Sequence, residues 1–600
     1  ICFIFIGIRA GLTAAIAMIM TLLMTLGILY LFGITLNTIT LFGLVLCLGL
    51  IVDDIVIVTE SIDTQRKKLS NLREAVTVAI KKIAKASSAG TLTTALGFAP
   101  LLFFGGILGK FIKVLPITII ISLFVSLFVS LTFVPLLTRL IHASKDNPNK
   151  YSPLTYFRNG VEWLAKLLSS VILSAKSTKR KFVYTFVAIL ISIGFLMASG
   201  PLYSKLKFDI FPTPKDANEL QVEFVFGPGT NIDSAIEKTN EANQIITNVL
   251  GDDIQKISYQ GNANERQATA TVTLTPFDER EQTSRQFVNE LNKQLTNIDN
   301  TRISVSQISA GPPKERLPFV VQINADDPQK ANEAAKNLVS FLNDTTINRN
   351  NGTEAKVIET EYTGELITLT RIDGKRVVQV RAGFDADDTT AIVQAAQKEV
   401  EDNFLSDSSN LAGLSADDFG FDFGVESQNQ DSFRSVLLAL PVLLLLMYLL
   451  LVIQFKSLVQ PILILLAVPF SFFGVGLALN TTDNPISFFT MIGFFALIGI
   501  SVNNTILLTD FANQGRRLGL SPRQAMASAL HERLRPLLTT TITSVSALIP
   551  LTLSDPFWES LSITLIGGLL SSALLVVIAF PYYYLVLEFL RSRLQLKYKK

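Results

Sequence analysis

Ten apolar runs, each near the length that crosses a bilayer, divide the 600-residue sequence at about 12–31, 38–59, 84–104, 113–141, 182–200, 433–453, 458–479, 486–509, 536–553 and 560–590. About 20 consecutive apolar residues span the hydrocarbon core as a helix, because a spanning backbone must satisfy its own hydrogen bonds. Only 17% of residues are charged, where soluble chains average about 25%. Most of the chain is therefore predicted to form a polytopic α-helical membrane protein. Ile1–Ile8 reads as the tail of a further span, with neither the Met nor the basic lead of a signal peptide. The sequence is expected to be N-terminally incomplete.

Charge is unevenly placed. Residues 205–430 carry 36 of the 50 acidic residues but 21 of the 52 basic ones. The remaining basic residues concentrate in the short segments 63–85, 176–181, 514–523, 531–536 and 591–600, which the positive-inside rule assigns to the cytoplasm. Counting spans between them puts 205–430 outside. Within that block, strand-like stretches at 220–226, 268–275, 302–308, 319–323, 376–383 and 419–425 alternate with helical ones near 231–249, 281–297, 328–343 and 387–402. This rhythm predicts an extracytoplasmic domain of two ferredoxin-like α+β subdomains. In the 144–181 linker, Lys and Arg interleave with apolar residues at helical spacing, as in a helix lying on the cytoplasmic membrane surface.

A shift of 450 residues makes the sequence match itself. Gly43 falls on Gly493, Gly49 on Gly499, Thr59 on Thr509, Arg66 on Arg516, Arg73 on Arg523 and Pro100 on Pro550. Loop arginines and a proline do not align through shared hydrophobicity alone, so a parallel repeat of the transporter kind is expected. At its centre, Asp53 and Asp54 of GLIVDDIVIVTES (49–61) fall on Asn503 and Asn504.

A carboxylate near mid-bilayer costs about 2.5–3.5 kcal/mol on insertion scales. Adjacent helical positions point about 100° apart, so the two aspartates cannot form one face-to-face dyad, which argues against an intramembrane aspartyl protease. Each can instead meet a different neighbouring helix. A buried carboxyl group that takes a proton from one side and releases it to the other is the chemistry such a position suits; the bland alternative is a packing role beside basic partners. Thr539, Thr540 and Thr541 open the next apolar run, where threonine hydroxyls often only bond the preceding turn. Cys2 and Cys47 lie in apolar runs, and His142 and His531 are the only histidines, so neither a disulfide framework nor a metal site is expected. The glycines of 103–109 and 227–230 lack phosphate-loop spacing, and nucleotide or nucleic-acid binding gains no support.

FGITLNTITLFGLVLCLGLIVDDIVIVTESI, the following FFGGILG, and IGISVNNTILLTDFANQGRRLGLSPRQAMASALHERLRPLLTTTITSVSALIPL closely resemble the resistance-nodulation-division (RND) superfamily, nearest its hydrophobe/amphiphile efflux branch. The resemblance covers essentially the whole chain. It implies transmembrane helices from the end of the second through the sixth in 1–143, a cytoplasmic linker at 144–181, and the seventh helix at 182–204. An extracytoplasmic porter domain at 205–431, helices eight to twelve at 432–592 and a basic tail at 593–600 would follow. It further implies proton-driven export of hydrophobic or amphiphilic compounds by a plasma-membrane antiporter, with no cofactor beyond the proton gradient and no enzymatic activity. Asp53, Asp54, Asn503, Asn504 and Thr540 would form the proton relay. Amphiphilic small molecules, membrane lipids, a homotrimer and a periplasmic adaptor-like protein are the implied partners. Asn503 departs from the lysine that the best-studied pumps carry there. The stretch at about 344–366 is too short for the docking insertion of typical efflux pumps. Lipid transport, protein-export assistance and a non-transporting scaffold are the alternatives.

Overall fold

The computed structural model describes residues 8–69, 71–105, 109–110, 112–141, 153–174, 177–212, 214–227, 229–262, 266–295, 298–308, 315, 317–363, 371–372, 374–386, 388–554, 556 and 558–598. Nearly all of the expected span at Ile1–Ile8, the linker stretch 144–152 and the last two residues of the basic tail lie outside them. The chain divides into two units, one drawn from Ile1–Ile210, Val425–Leu553 and Ser560–Lys600, the other from Phe211–Gly424 and Ser554–Glu559.

The first unit is helical. In chain order it contains α1 (Ile8–Leu31), α2 (Thr38–Lys68), α3 (Leu72–Phe98), α4 (Val114–Ile141), α5 (Pro153–Ser174) and α6 (Thr178–Ser204). After the second unit come α11 (Val425–Phe455), α12 (Gln460–Leu465), α13 (Ala467–Thr481), α14 (Phe488–Arg517), α15 (Pro522–Ser554), α16 (Glu559–Ile578) and α17 (Phe580–Tyr598). Among the described residues, ten helical segments are long and apolar enough to cross a membrane. α14 is the most enclosed, followed equally by α2 and α16, whereas α6 and α11 are largely exposed. The exposed residues of α6 include Phe182, Phe186, Leu190, Ile193 and Met197. This spacing of three to four residues makes one continuous apolar stripe, the face a helix turns to lipid.

Local chemistry sets the helix starts. Asn37 caps α2: its Oδ1 accepts from Thr40 N at 3.0 Å, while Thr40 Oγ1 accepts from Asn37 N at 2.7 Å. Ser487, 450 positions on, caps α14 by accepting from Thr490 N at 3.2 Å. The run read at 560–590 is two helices, not one. α16 stops at Ile578 and α17 restarts at Phe580 because Pro581 has no N–H to donate to the preceding turn. α5 buries Val161, Ala165 and Ile172 and ties to α15 through Ser169 Oγ donating to Ala527 O at 3.1 Å, while Trp163 and Leu167 stay exposed.

The second unit is α+β. β1 (Glu219–Phe226), α7 (Ile232–Leu250), β2 (Ile254–Asn262), β3 (Gln267–Leu274), α8 (Ser284–Leu295) and β4 (Thr301–Gln307) build an antiparallel sheet of order β2-β3-β1-β4. Leu220, Val222 and Phe224 alternate inward on β1 and pack on Ile246 of α7 and Leu291 of α8. The order then repeats. β5 (Phe319–Asn324), α9 (Pro328–Asp344), β6 (Ile347–Asn348), β7 (Glu354–Ala355), β8 (Val357–Tyr362), β9 (Arg371–Ile372), β10 (Lys375–Phe384), α10 (Thr389–Glu399) and β11 (Phe419–Phe421) give the sheet path β11-β5-β10-β8. Its core joins Val321, Ile323 and Val380 to Leu338 of α9 and Val393 of α10. Each half therefore has β-α-β-β-α-β order with its helices on one face. β6 and β7 pair as a short hairpin, tied down where the Arg349 guanidinium pairs with Asp388 at the start of α10.

Candidate functional site: carboxylates inside the helical bundle

Asp53 and Asp54 lie near the middle of α2 and turn to different helices. Asp54 is only 5% exposed. Its Oδ1 accepts from Ser87 Oγ at 2.8 Å and its Oδ2 from Thr91 Oγ1 at 3.1 Å, both on α3. Ser87 and Thr91 are four residues apart, so one helix face presents both hydroxyls. Asp53 is half-buried and points to α15, where Ser544 Oγ donates to Asp53 Oδ1 at 3.5 Å and to Gly49 O at 3.2 Å. Among the described residues neither aspartate is held by a cation.

The equivalent amides sit differently. Asn503 of α14 abuts α3 at Gly90: a Cβ there would lie 1.9 Å from Asn503 Oδ1, so a larger residue would have to displace the Asn503 amide. Asn503 Oδ1 is buried without a hydrogen-bond partner among the described residues. Asn504 is half-buried on the same turn. Thr540 does not reach the aspartates. Its hydroxyl, buried on α15, donates to Leu537 O at 3.2 Å, the local bond that threonine makes readily within a helix.

The helix contacts around these groups come in pairs 450 residues apart. Gly49 packs on Ser544, with the position of an added Cβ 3.2 Å from the serine Cα; Gly499 packs on Thr94, the corresponding distance being 2.6 Å. α2 thus meets α15 as α14 meets α3.

Toward the N-terminal end of α2 from Asp53, Leu46, Leu50, Phe98 and Ile500 are among the residues that close around a void of about 10 Å³. Toward the other end, a polar cavity of about 270 Å³ is lined by Glu60, Gln65, Lys82, His531, Arg533 and Arg535, among others. The arginines are engaged there rather than at the aspartates. Arg535 Nη1 lies 3.2 Å from Glu60 Oε1, and the Arg533 guanidinium stacks 3.6 Å from the Phe511 ring centroid.

Ser87, Gly90, Thr91 and Ser544 are the site residues that sequence reasoning did not single out. Their signal was present in SSAGTLTT (87–94), a small and hydroxyl-rich stretch inside an apolar run, and in the 450-residue shift that lays Thr94 on Ser544. His142 lies outside the described residues, and no group of three or more His, Cys, Asp or Glu among the described residues could hold a metal ion.

Paired carboxylates inside a multi-span bundle, on a chain that also carries two β-α-β-β-α-β folds, define a polytopic membrane protein with an ionisable centre. The sequence model of the AcrB/AcrD/AcrF family matches residues 1–357 and 329–588, and the chain belongs to that family, within the RND superfamily. It is a multi-pass protein of the inner membrane. It is similar to the swarming motility protein SwrC of Bacillus subtilis (strain 168), 26% identical over 678 residues, covering 98% of this chain and 62% of SwrC. It is also similar to the multidrug resistance protein MdtC of Escherichia coli O139:H28 (25% identical over 677 residues, 99% of this chain and 65% of the relative). MdtC of Proteus mirabilis (strain HI4320) matches at 25% over 671 residues, 98% of this chain and 64% of that protein. The chain thus spans less than two thirds of the length of these relatives.

Proposed function

We propose that this chain is the greater part of a proton-driven exporter of hydrophobic or amphiphilic compounds, with Asp54 as its principal proton carrier and Asp53 beside it. The observation that carries this reading is the setting of Asp54: both carboxylate oxygens rest on hydroxyl groups, and among the described residues no cation neutralises the charge. A serine or threonine hydroxyl can donate to a carboxylate or accept from a carboxylic acid. The same cradle therefore serves Asp54 with and without its proton. A salt bridge to lysine would favour one form only, so Asn503 is compatible with proton transfer. Thr540 joins the relay only if α15 shifts its hydroxyl from Leu537 O; Asn504 completes the polar turn.

On this reading the paired contacts of α2 with α15 and α14 with α3 let the two halves, related by a parallel pseudo-repeat, rock as rigid bodies. Residues 205–431 form an extracytoplasmic porter domain of two ferredoxin-like subdomains, and the protein works as a homotrimer. MdtC's multidrug-resistance name supports amphiphilic cargo. The β6–β7 hairpin occupies the place of a docking insertion, so an adaptor-like partner would engage other surfaces. Reconstitution of the protein in liposomes, with a pH dye inside and an amphiphilic dye as cargo, tests the mechanism. Cargo-dependent proton flux is expected from the native chain and none from Asp54→Asn; equal flux from both would remove Asp54 from the relay.

A further inference from the structure

The helical unit holds a second polar feature, away from the aspartates. A cavity of about 710 Å³ opens where α14 ends and α15 begins, walled also by α17 and the turn between α11 and α12. Among the described residues Arg516, Arg517, Arg523 and Arg591 line it with a single carboxylate, Glu588, so the lining is predominantly basic.

The arginines are positioned by specific contacts. The chain leaves α14 through Gly519, whose φ of +87° places it in the left-handed region that glycine tolerates best. Arg516 Nη1 donates to Leu520 O at 2.6 Å and fastens that turn. Ser521 then starts α15, its N–H donating to Gln524 Oε1 at 3.1 Å. Glu588 is 8% exposed and lies 3.4 Å from Arg516 Nε and 3.6 Å from Arg591 Nη1. One buried carboxylate thus orders two of the guanidinium groups. Also in the lining, Gln460 and Asn513 bond each other at 3.1 and 3.2 Å, so those amides already have partners. Apolar side chains lie at its edge: Phe589 in the lining is 40% exposed, and Leu590, Leu518 and Leu458, each next in sequence to a lining residue (Phe589, Arg517 and Ser457), are also exposed.

We propose that this cavity is a binding site for a phosphate-bearing anion, held by the guanidinium cluster at the basic face of the bundle. Guanidinium groups bind phosphate oxygens through paired, charge-assisted hydrogen bonds, and the volume suits a small ligand. The apolar rim at the ends of two membrane spans matches a phospholipid, whose headgroup would enter the cavity while its chains follow the helices, the pattern of basic pockets between membrane helices. A soluble phosphate shares the recognised group. The site is independent of the proton relay.

Native mass spectrometry of the detergent-solubilised protein, supplied separately with phosphatidylglycerol, phosphatidylcholine and inorganic phosphate, tests the proposal. Phosphatidylglycerol is expected to be retained about tenfold over phosphatidylcholine, and Arg517→Gln with Arg523→Gln to remove most of that preference. Arg517→Gln alone, at an exposed position, is expected to lower it about fivefold and keeps the test open if the double variant does not fold. Inorganic phosphate that binds with the same arginine dependence and displaces the lipid would assign the site to a soluble anion. Retention indifferent to headgroup charge, or unchanged in a folded arginine variant, would overturn the proposal.

Discussion

Lys82 Nζ meets Glu532 Oε2 at 3.2 Å, and the two residues are 450 positions apart, the offset that lays Asp53 on Asn503. Equivalent positions of two repeats touch each other only beside the axis that relates them. On the pseudo-repeat reading this pair therefore marks that axis on the basic side of the membrane, and any rocking of the halves pivots close to it. Lys82 also lies 4.3 Å from the Phe511 ring centroid, the same ring that carries Arg533. The pair is partly solvated, at 25% and 30% exposure, so a large contribution to stability is not expected. A double-mutant cycle of Lys82→Ala and Glu532→Ala, read by thermal unfolding, should give a coupling of about 0.2–1 kcal/mol. A coupling of zero would mean that the two side chains do not meet in the membrane.

Gly90 is the narrowest point of the site. Gly90→Ala puts a methyl group onto the Asn503 amide, and overpacking of this kind costs about 1–3 kcal/mol. Thermal unfolding should report that loss. Asn503→Ser in the same chain shortens the opposing side chain and should restore much of the stability. If the double variant unfolds no later than Gly90→Ala alone, the α3–α14 contact is not as close as described.

Removing the hydroxyls should act differently from removing the carboxyl group. Ser87→Ala and Thr91→Ala each delete one bond to Asp54, and a hydrogen bond to a charged group contributes about 1.5–3 kcal/mol. Cargo-dependent proton flux is expected to fall in each variant but to persist, whereas Asp54→Asn abolishes it. In infrared difference spectra the carboxyl band that disappears in Asp54→Asn should move in both alanine variants. A band unaffected by either would place the titrating group elsewhere.

The sequence locates membrane segments better than helices. Apolar runs at 84–104 and 536–553 belong to helices that begin at Leu72 and Pro522, well before the hydrophobicity does. Asn71 accepts from Arg73 N at 3.0 Å and Ser521 from Gln524 N at 3.4 Å, so capping starts these helices among charged residues while hydropathy marks only the lipid. The divergence of Asp53 and Asp54 follows from helix geometry and needs no coordinates. Their partners do not. Whether Ser87 faces Asp54, or Thr540 faces anything but its own helix, depends on rotations about helix axes that composition leaves open. In the second unit the alternation of Leu220, Val222 and Phe224 is plain in the sequence, but β2 and β8 are not. Polar residues run through IQKISYQGN and VIETEY, and both strands take their place from edge pairing, to β3 and to β10.

On the proposed function, Tyr259 would link the α+β unit to cargo and to pH. It lines a cavity of about 460 Å³ with Ile232 and Ile236, which are 62% and 55% exposed, and its hydroxyl donates to Asn243 Oδ1 at 2.7 Å. Exposed apolar side chains around a cavity of this size suit an amphiphile. Ile236→Asp is expected to weaken binding of a fluorescent amphiphile about tenfold, and Tyr259→Phe to leave it nearly unchanged, because the ring and not the hydroxyl makes the contact. Burial pushes the Tyr259 phenol from its ordinary value of 10.0 up to about 12. The fold then holds this proton more tightly than the unfolded chain does, so the stability it contributes is whole below pH 10 and is lost as pH rises toward about 12. Across that window the native protein should lose stability more steeply than Tyr259→Phe in thermal unfolding. Parallel pH profiles would show that the phenol titrates freely and that the ring does not rest in the cavity.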